Sequence, residues 1–313
     1  MKNRLILRLS NEIGNQMFMY ASALSISKKL NRELLIDDET AFLLKKNISK
    51  YGLDNFEISA KIAQDKHKFK GIEGYLRRKM LIKFDFLRFK KKFYIESKDH
   101  NKSTSFQDDY LNKSFSNDVF IEGHFESSKY FINIKDKICD EFTFKNIDLL
   151  KKNIFYKELN THNSVAICLR QNRFIEGRGR NTNENKLKSH EFTLNQVDYI
   201  NKAAAIIKSK INNPIFYLWS NDFTNIPDNL FEFDFKKIDL SKNKSVLDTR
   251  IESLFLLTNC KHYIVTTSTF NWWGAWLSKN LNKIIIRPDN QLFPLFKVNN
   301  EDFWPDDWIN FTI

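Results

Sequence analysis

"SVAICLRQNRFIEGRGRN" (164–181) sets an apolar run, 164–169, against an arginine-rich polar loop. A short continuous apolar run ended by polar residues reads as a strand buried on both faces. Downstream, "TLNQVDYINKAAAIIKSK" (193–210) reads as a helix opened by a Thr193/Gln196 capping box. "IFYLWS" (215–220) and "FKKIDL" (235–240) read as strands and "VLDTRIESLFLLTNC" (246–260) as a helix. "HYIVT" (262–266), a helix from about Phe270 to Leu281 and the strand "KIIIR" (283–287) follow. Strands alternating with helices predict a parallel sheet covered on both faces.

The N-terminal half opens in the same way. "RLILRL" (4–9) reads as a strand. Met17, Phe18, Ala21 and Leu24 recur at helical spacing in a helix after Asn15, and "RELLID" (32–37) is a second strand. "VFIEGHF" (119–125) reads as a strand, followed by a helix starting near Ser127, whereas residues 40–112 show no clean period. The polar stretch "KKNIFYKELNTHN" (151–163) divides the chain. We expect an N-terminal α/β lobe over 1–155 and a C-terminal α/β lobe over 156–313, each with a parallel sheet, and a cleft between them.

The 313 residues include 29 Phe and carry a formal net charge of +12, so a large core and an anionic partner are both expected. The positive residues are scattered and form no helix-turn-helix or RNA-binding signature, which argues against nucleic acid. Cys139, Cys168 and Cys260 are too few and too widely spaced for a disulfide framework or a zinc site. No signal peptide and no apolar run of membrane-spanning length is present, so a cytoplasmic chain is expected. "RRKMLIKFDFLRFKKKFY" (77–94) interleaves eight Lys/Arg with Phe, Leu and Ile. It fits a peripheral contact with an anionic membrane, or equally a basic face packed onto the lobe by its aromatics.

The eight glycines yield no dinucleotide-binding or P-loop pattern, no nucleophile elbow exists, the histidines lack ligand spacing, and no D-x-D triplet is found. No metal is therefore expected. Four polar segments fall where strands hand over to helices: "SNEIGN" (10–15), 170–181, "SND" (220–222) and "TTSTFN" (266–271). Such corners hold ligands in open parallel sheets. Arg170, directly after the apolar run, suits a bidentate grip on phosphate, or a plain surface ion pair. Arg173, Arg178 and Arg180, with Gly177 and Gly179, make the loop beyond it either a lid or a solvated loop. Asp222 can accept from the N1–H and N2–H edge of guanine, or cap its own turn. Ser268 and Thr269 can dock a pyrophosphate, cap a helix, or both. Trp273 and Trp276 read as core.

These residues resemble a family. "TTSTFNWWGAWLSKN" (266–280) with "KIIIRPDNQLF" (283–293) is similar to the S-S-F-S-W-W-G-A-W-L signature of the family 11 glycosyltransferases, the α-1,2-fucosyltransferases. "GNQMFMYASALS" (14–25) resembles their G-N-Q-[ML]-F loop. "IEGHFESSKYF" (121–131) resembles G-[YF]-[FW]-Q-S-x-K-Y-[FL], "WSND" (219–222) the S-D-D element, and "FWPDDWINF" (303–311) the closing P-x-x-W. One stretch departs. The family's H-x-R-R-x-D stands here as Cys168-Leu169-Arg170-Gln171-Asn172-Arg173, which keeps only the first arginine and leaves the donor sugar open.

The resemblance implies a GT-B-like pair of Rossmann-like lobes and inverting transfer of fucose from GDP-fucose, without a metal. The acceptor implied is a hydroxyl, the 2-OH of a galactose-type residue, on a surface glycan or its lipid-linked precursor. A different GDP-sugar or a non-catalytic glycan- or nucleotide-binding relative are the alternatives. Gly14, Asn15 and Gln16 would close on the donor from the first lobe, Asn15 taking part in catalysis. Arg170, Asp222, Ser268, Thr269 and Phe270 would bind it in the second. Arg170 would absorb the charge on the leaving diphosphate. Glu176, in the loop beyond it, is the candidate base, with an ordinary surface glutamate as the alternative.

Overall fold

The computed structural model describes residues 3–43, 50–96, 105–176, 180–241, 247–289, 292 and 298–311. Gly177, Arg178 and Gly179 of the arginine-rich loop lie outside them. The chain forms two compact units, Met1–Lys145 with Val298–Pro305, and Asn146–Lys297 with Asp306–Ile313.

The first unit contains β1 (Arg4–Arg8), α1 (Ile13–Lys29), β2 (Glu33–Asp37), β3 (Lys61–Ile62), α2 (Gly71–Asp85), β4 (Lys91–Ile95), β5 (Phe115–Glu122) and α3 (Lys135–Glu141). Its sheet is parallel in the order β3-β2-β1-β5-β4. α1 is buried almost all round, from Ile13 to Ser27, so its polar face is built of small Ser22, Ser25 and Ser27. A helix without a solvent face is a core helix. Ser127 caps a 3-10 turn, Ser128–Tyr130, and a second turn, Ile132–Ile134, precedes α3. The helix expected near Ser127 therefore begins as α-helix only at Lys135.

The second unit contains α4 (Ile147–Leu150), α5 (Ile154–Thr161), β6 (Asn163–Leu169), α6 (Asn183–Lys210), β7 (Pro214–Ser220), β8 (Phe235–Lys237), α7 (Thr249–Thr258), β9 (His262–Ile264), α8 (Thr269–Leu277), β10 (Ile285–Pro288) and β11 (Ile309–Phe311). All its strands run parallel in the order β11-β10-β9-β6-β7-β8. The apolar run 164–169 is β6, in the middle. The short helix α9 (Asn300–Phe303) packs with the first unit, where Phe303 stacks on Phe18 at 6.1 Å and Asp302 O accepts from Ser127 Oγ at 2.5 Å.

Helix limits in the second unit differ from the expected ones as well. α6 starts ten residues before Thr193: Thr182 Oγ1 accepts from Asn185 N–H at 3.2 Å, and Thr193 lies mid-helix, donating to Ser189 O at 2.9 Å. The added turns are mostly exposed, so they carry no apolar period and are held by pairs such as Glu184–Lys188. α8 stops at Leu277, and Leu281 is exposed beyond it. Trp272, Trp273 and Trp276 are all core, ring against ring. Gly274 sits where a Cβ would meet Leu257 Cδ2 of α7 at 2.3 Å, so the two helices touch through a bare backbone.

Candidate active site

β7, β6 and β9 are neighbours, so the segments after them lie side by side at the carboxyl edge of the second sheet. Arg170 leaves the middle strand. Its peptide is clamped by a side chain from α6: Arg170 N–H donates to Gln196 Oε1 at 2.9 Å, and Gln196 Nε2 donates to Arg170 O at 2.8 Å. Gln196 is fully buried within the apolar stripe Phe192, Tyr199, Ile200, Ala203 and Ile207. A polar residue on an apolar stripe was the signal, and reading it as part of a capping box hid its task.

The Arg170 guanidinium donates through Nη2 to Glu176 Oε2 at 2.6 Å, while its Nε is buried without a hydrogen-bond partner. Both side chains are over a third exposed, and an ion pair that open contributes ~0–1 kcal/mol. An incoming phosphate can take over the fork at little cost. Glu176, the candidate base, has one oxygen on Arg170 and the other 3.5 Å from Asn221 Nδ2.

On the β7 side, Gln171 N–H donates to Asn221 Oδ1 at 2.8 Å, and Gln171 Nε2 to Asp222 O at 2.5 Å. Asp222 Oδ1 accepts from Thr224 N–H at 2.9 Å, which holds its carboxyl below the usual carboxylate range. Asp222 therefore caps its turn while its other oxygen lies 3.4 Å from Asn172 Nδ2. Cys168, where the family pattern has histidine, is buried, and burial pushes its thiol up, so it stays neutral.

On the β9 side, α8 starts at Thr269 without a side-chain cap from Ser268, and Thr267 Oγ1 is buried without a partner. Helix N–H groups beside an unused hydroxyl form an anion-receptive corner. Phe270 is half-buried in the same turn. Thr267 was missed by the sequence reading, which had singled out its neighbours.

At the carboxyl edge of the first sheet, the G-N-Q residues lie in the first turns of α1. Gln16 is fully buried: Nε2 donates to Asn11 O and Lys50 O, both at 2.8 Å, and Oε1 accepts from Gly52 N–H at 3.0 Å. Expected as a donor-binding group, Gln16 has its amide on the backbone of Asn11 and of the Lys50–Gly52 stretch. Gly14 is buried beside it. Asn15 Nδ2 donates to Glu126 Oε1 at 2.5 Å, and Asn11 Nδ2 lies 2.7 Å from His124 Nε2. His124 and Glu126 stand where the quoted family pattern has an aromatic residue and glutamine. They bring an imidazole and a carboxylate, 3.8 Å apart, to this edge.

The family profile named Glycosyl transferase family 11 matches residues 2–312. The chain belongs to glycosyl transferase family 11. As a family 11 member it is a fucosyltransferase-like glycosyltransferase. It is similar to an Escherichia coli alpha-1,2-colitosyltransferase, with 26% identity over 307 residues and 97% of each chain covered. The O-antigen biosynthesis glycosyltransferase WbnK of Escherichia coli is 26% identical over 332 residues, covering 96% of this chain and 98% of that one. Among solved structures, a mutant of Arabidopsis thaliana FUT1 in complex with GDP matches with a TM-score of 0.52 at 13% identity, covering 99% of this chain and 76% of that one. The fucosyltransferase NodZ from Bradyrhizobium matches with a TM-score of 0.50 at 15% identity, covering 93% and 96%. These structural likenesses carry the fold, a GT-B pair of α/β units with parallel sheets. Among the described residues no group of three or more His, Cys, Asp or Glu is placed to hold a metal ion.

Proposed function

We propose that this glycosyltransferase moves a fucose-type sugar from its GDP conjugate to a glycan hydroxyl, with inversion and without a metal. The observation that carries this reading is the Arg170 fork, at the middle strand end between the Asp222 turn and the α8 N-terminus. As the C1–O bond breaks, negative charge gathers on the β-phosphate and the sugar becomes oxocarbenium-like. Arg170 and the Thr267–Thr269 N–H and hydroxyl groups absorb that charge; such preorganised donors are worth about 10²–10³ in rate each. Asp222, ionised by its turn, accepts from the guanine edge. Gln196 positions Arg170, and Glu176 holds the fork until the diphosphate replaces it. The second unit serves the GDP-sugar and the first unit the acceptor. That acceptor is the 2-OH of a galactose-type residue on a surface glycan or its lipid-linked precursor, at the cytoplasmic face of an anionic membrane.

A second donor, GDP-colitose, is favoured by the similarity to the colitosyltransferase over 97% of both chains and by the departure at Gln171–Arg173. Colitose is fucose without its 3-hydroxyl, so the phosphate and guanine contacts are unchanged. Transfer from GDP-fucose, GDP-colitose, GDP-mannose and UDP-galactose to a galactoside, with and without chelator, tests the reading. Product from one of the first two donors, undiminished in chelator, is expected. Transfer from UDP-galactose alone, or loss of activity in chelator restored by a divalent ion, contradicts it.

A further inference from the structure

α2 is built inside out. It is fastened to the first unit largely by polar and bare groups. Arg78 forks onto buried Glu122, with Nε 2.7 Å from Oε1. Asp85 accepts from Lys92 N–H at 2.7 Å and from Phe93 N–H at 3.3 Å. Gly74 lies so close to the Phe69 backbone that a Cβ would fall 2.3 Å from Phe69 C. Four of its large apolar residues face outward: Ile72, Leu76, Met80 and Phe84 recur every fourth residue and are 80%, 53%, 61% and 45% exposed, whereas Leu81 and Ile82 are half-buried. The stripe continues past the helix into Phe86, Leu87 and Phe89, all more exposed than Leu76. A soluble surface rarely displays a contiguous run of this kind without use.

Its charge identifies the occupant. Across residues 71–90 the exposed cations are Lys79, Lys83, Arg88 and Lys90, with Arg77 turned back onto Lys68 O and the Phe69 ring, and the exposed acid is Glu73. Lys79 Nζ lies over the Tyr75 ring at 4.6 Å, within the same face. A second copy meeting this face through a two-fold axis would set these cations against their own copies. A bilayer with anionic headgroups meets both demands, taking the apolar residues at the acyl boundary while the long basic side chains reach the phosphates.

We infer that the outward face of α2, with Phe86, Leu87 and Phe89, is the surface on which this enzyme lies on an anionic membrane. This names the surface for the membrane contact proposed above and rests on that reading; it is independent of the donor sugar. The aromatics of the basic segment thus point outward from α2 and its following turn, whereas Phe93 and Tyr94 alone pack inward.

The test is co-sedimentation of the full chain with phosphatidylcholine vesicles, with and without phosphatidylglycerol, at low and high salt. Leu76→Gln with Met80→Gln removes apolar surface, and Lys79→Gln with Lys83→Gln removes charge. All four positions are exposed, and GDP binding by each variant confirms that it is folded. The wild type is expected to bind only the anionic vesicles, less so at high salt, and each double variant to lose about tenfold or more. Equal binding by wild type and variants overturns the α2 assignment while membrane contact itself stands. No wild-type binding overturns both, whereas equal binding to neutral vesicles overturns the charge argument. A dimer abolished by the apolar double variant, without vesicle binding, gives the face to a second copy.

Discussion

Arg170 and Glu176 hold each other across the loop that leaves the central strand, Nη2 to Oε2 at 2.6 Å, while Arg170 Nε stays buried and unmatched. On the proposed function, the donor diphosphate replaces that carboxylate on the guanidinium. Glu176→Gln is therefore expected to lower KM for the GDP-sugar a few-fold and to leave kcat within about threefold. A loss of about 10²-fold in kcat at unchanged KM would instead return Glu176 to the role of base.

Asp222→Asn keeps an acceptor for Thr224 N–H but cannot accept both donors of the guanine edge. GDP affinity is expected to fall about tenfold or more, with UDP and ADP binding unchanged, as read by calorimetry. Equal small changes for all three nucleotides would leave Asp222 as a turn cap only.

Gln16→Leu strips three backbone groups of their partner inside the first unit. A loss of about 1–3 kcal/mol in denaturant unfolding is expected, because the Gly52 N–H, whose bond to Gln16 is buried, is left without its partner. Unchanged stability with impaired donor binding would reverse the assignment and make Gln16 a ligand contact.

The alternation of strand and helix was legible because parallel strands buried on both faces read as apolar runs, as in 164–169 and 215–220. Arg170, Asp222 and Ser268 were legible as strand-end residues, and the sheet order brings their loops together. The tasks of Gln16 and Gln196 were hidden because their partners are backbone groups; Lys50 lies 34 residues from Gln16 and Arg170 lies 26 from Gln196. The first turns of α6 were hidden by exposure. α2 was hidden because Gly74, Arg78 and Asp85 interrupt the apolar period on its anchoring face, leaving Leu81 among them.

His262 opens β9 buried, with Nδ1 accepting from Ile284 N–H at 3.1 Å, and burial lowers its pKa below the ordinary 6.5. His67 is pulled the same way by burial. The unfolded chain then binds more protons than the folded one as pH falls through 6.5, so stability drops on acidification across that window and is complete above it. His262→Gln, which still offers an acceptor to Ile284, is expected to flatten the fall in Tm below pH 6.5. An unchanged Tm profile would contradict a neutral His262.

The most direct measurement is kcat and KM for the GDP-sugar in Arg170→Lys and Arg170→Ala, with circular dichroism to confirm folding. Arg170→Lys keeps the charge but loses the fork, so kcat is expected to fall on the order of 10²-fold, more than KM rises, because the charge it meets grows in the transition state. Arg170→Ala is expected to be worse. Near wild-type turnover in Arg170→Ala would contradict the phosphate grip and leave the chain a family 11 fold whose chemistry lies elsewhere.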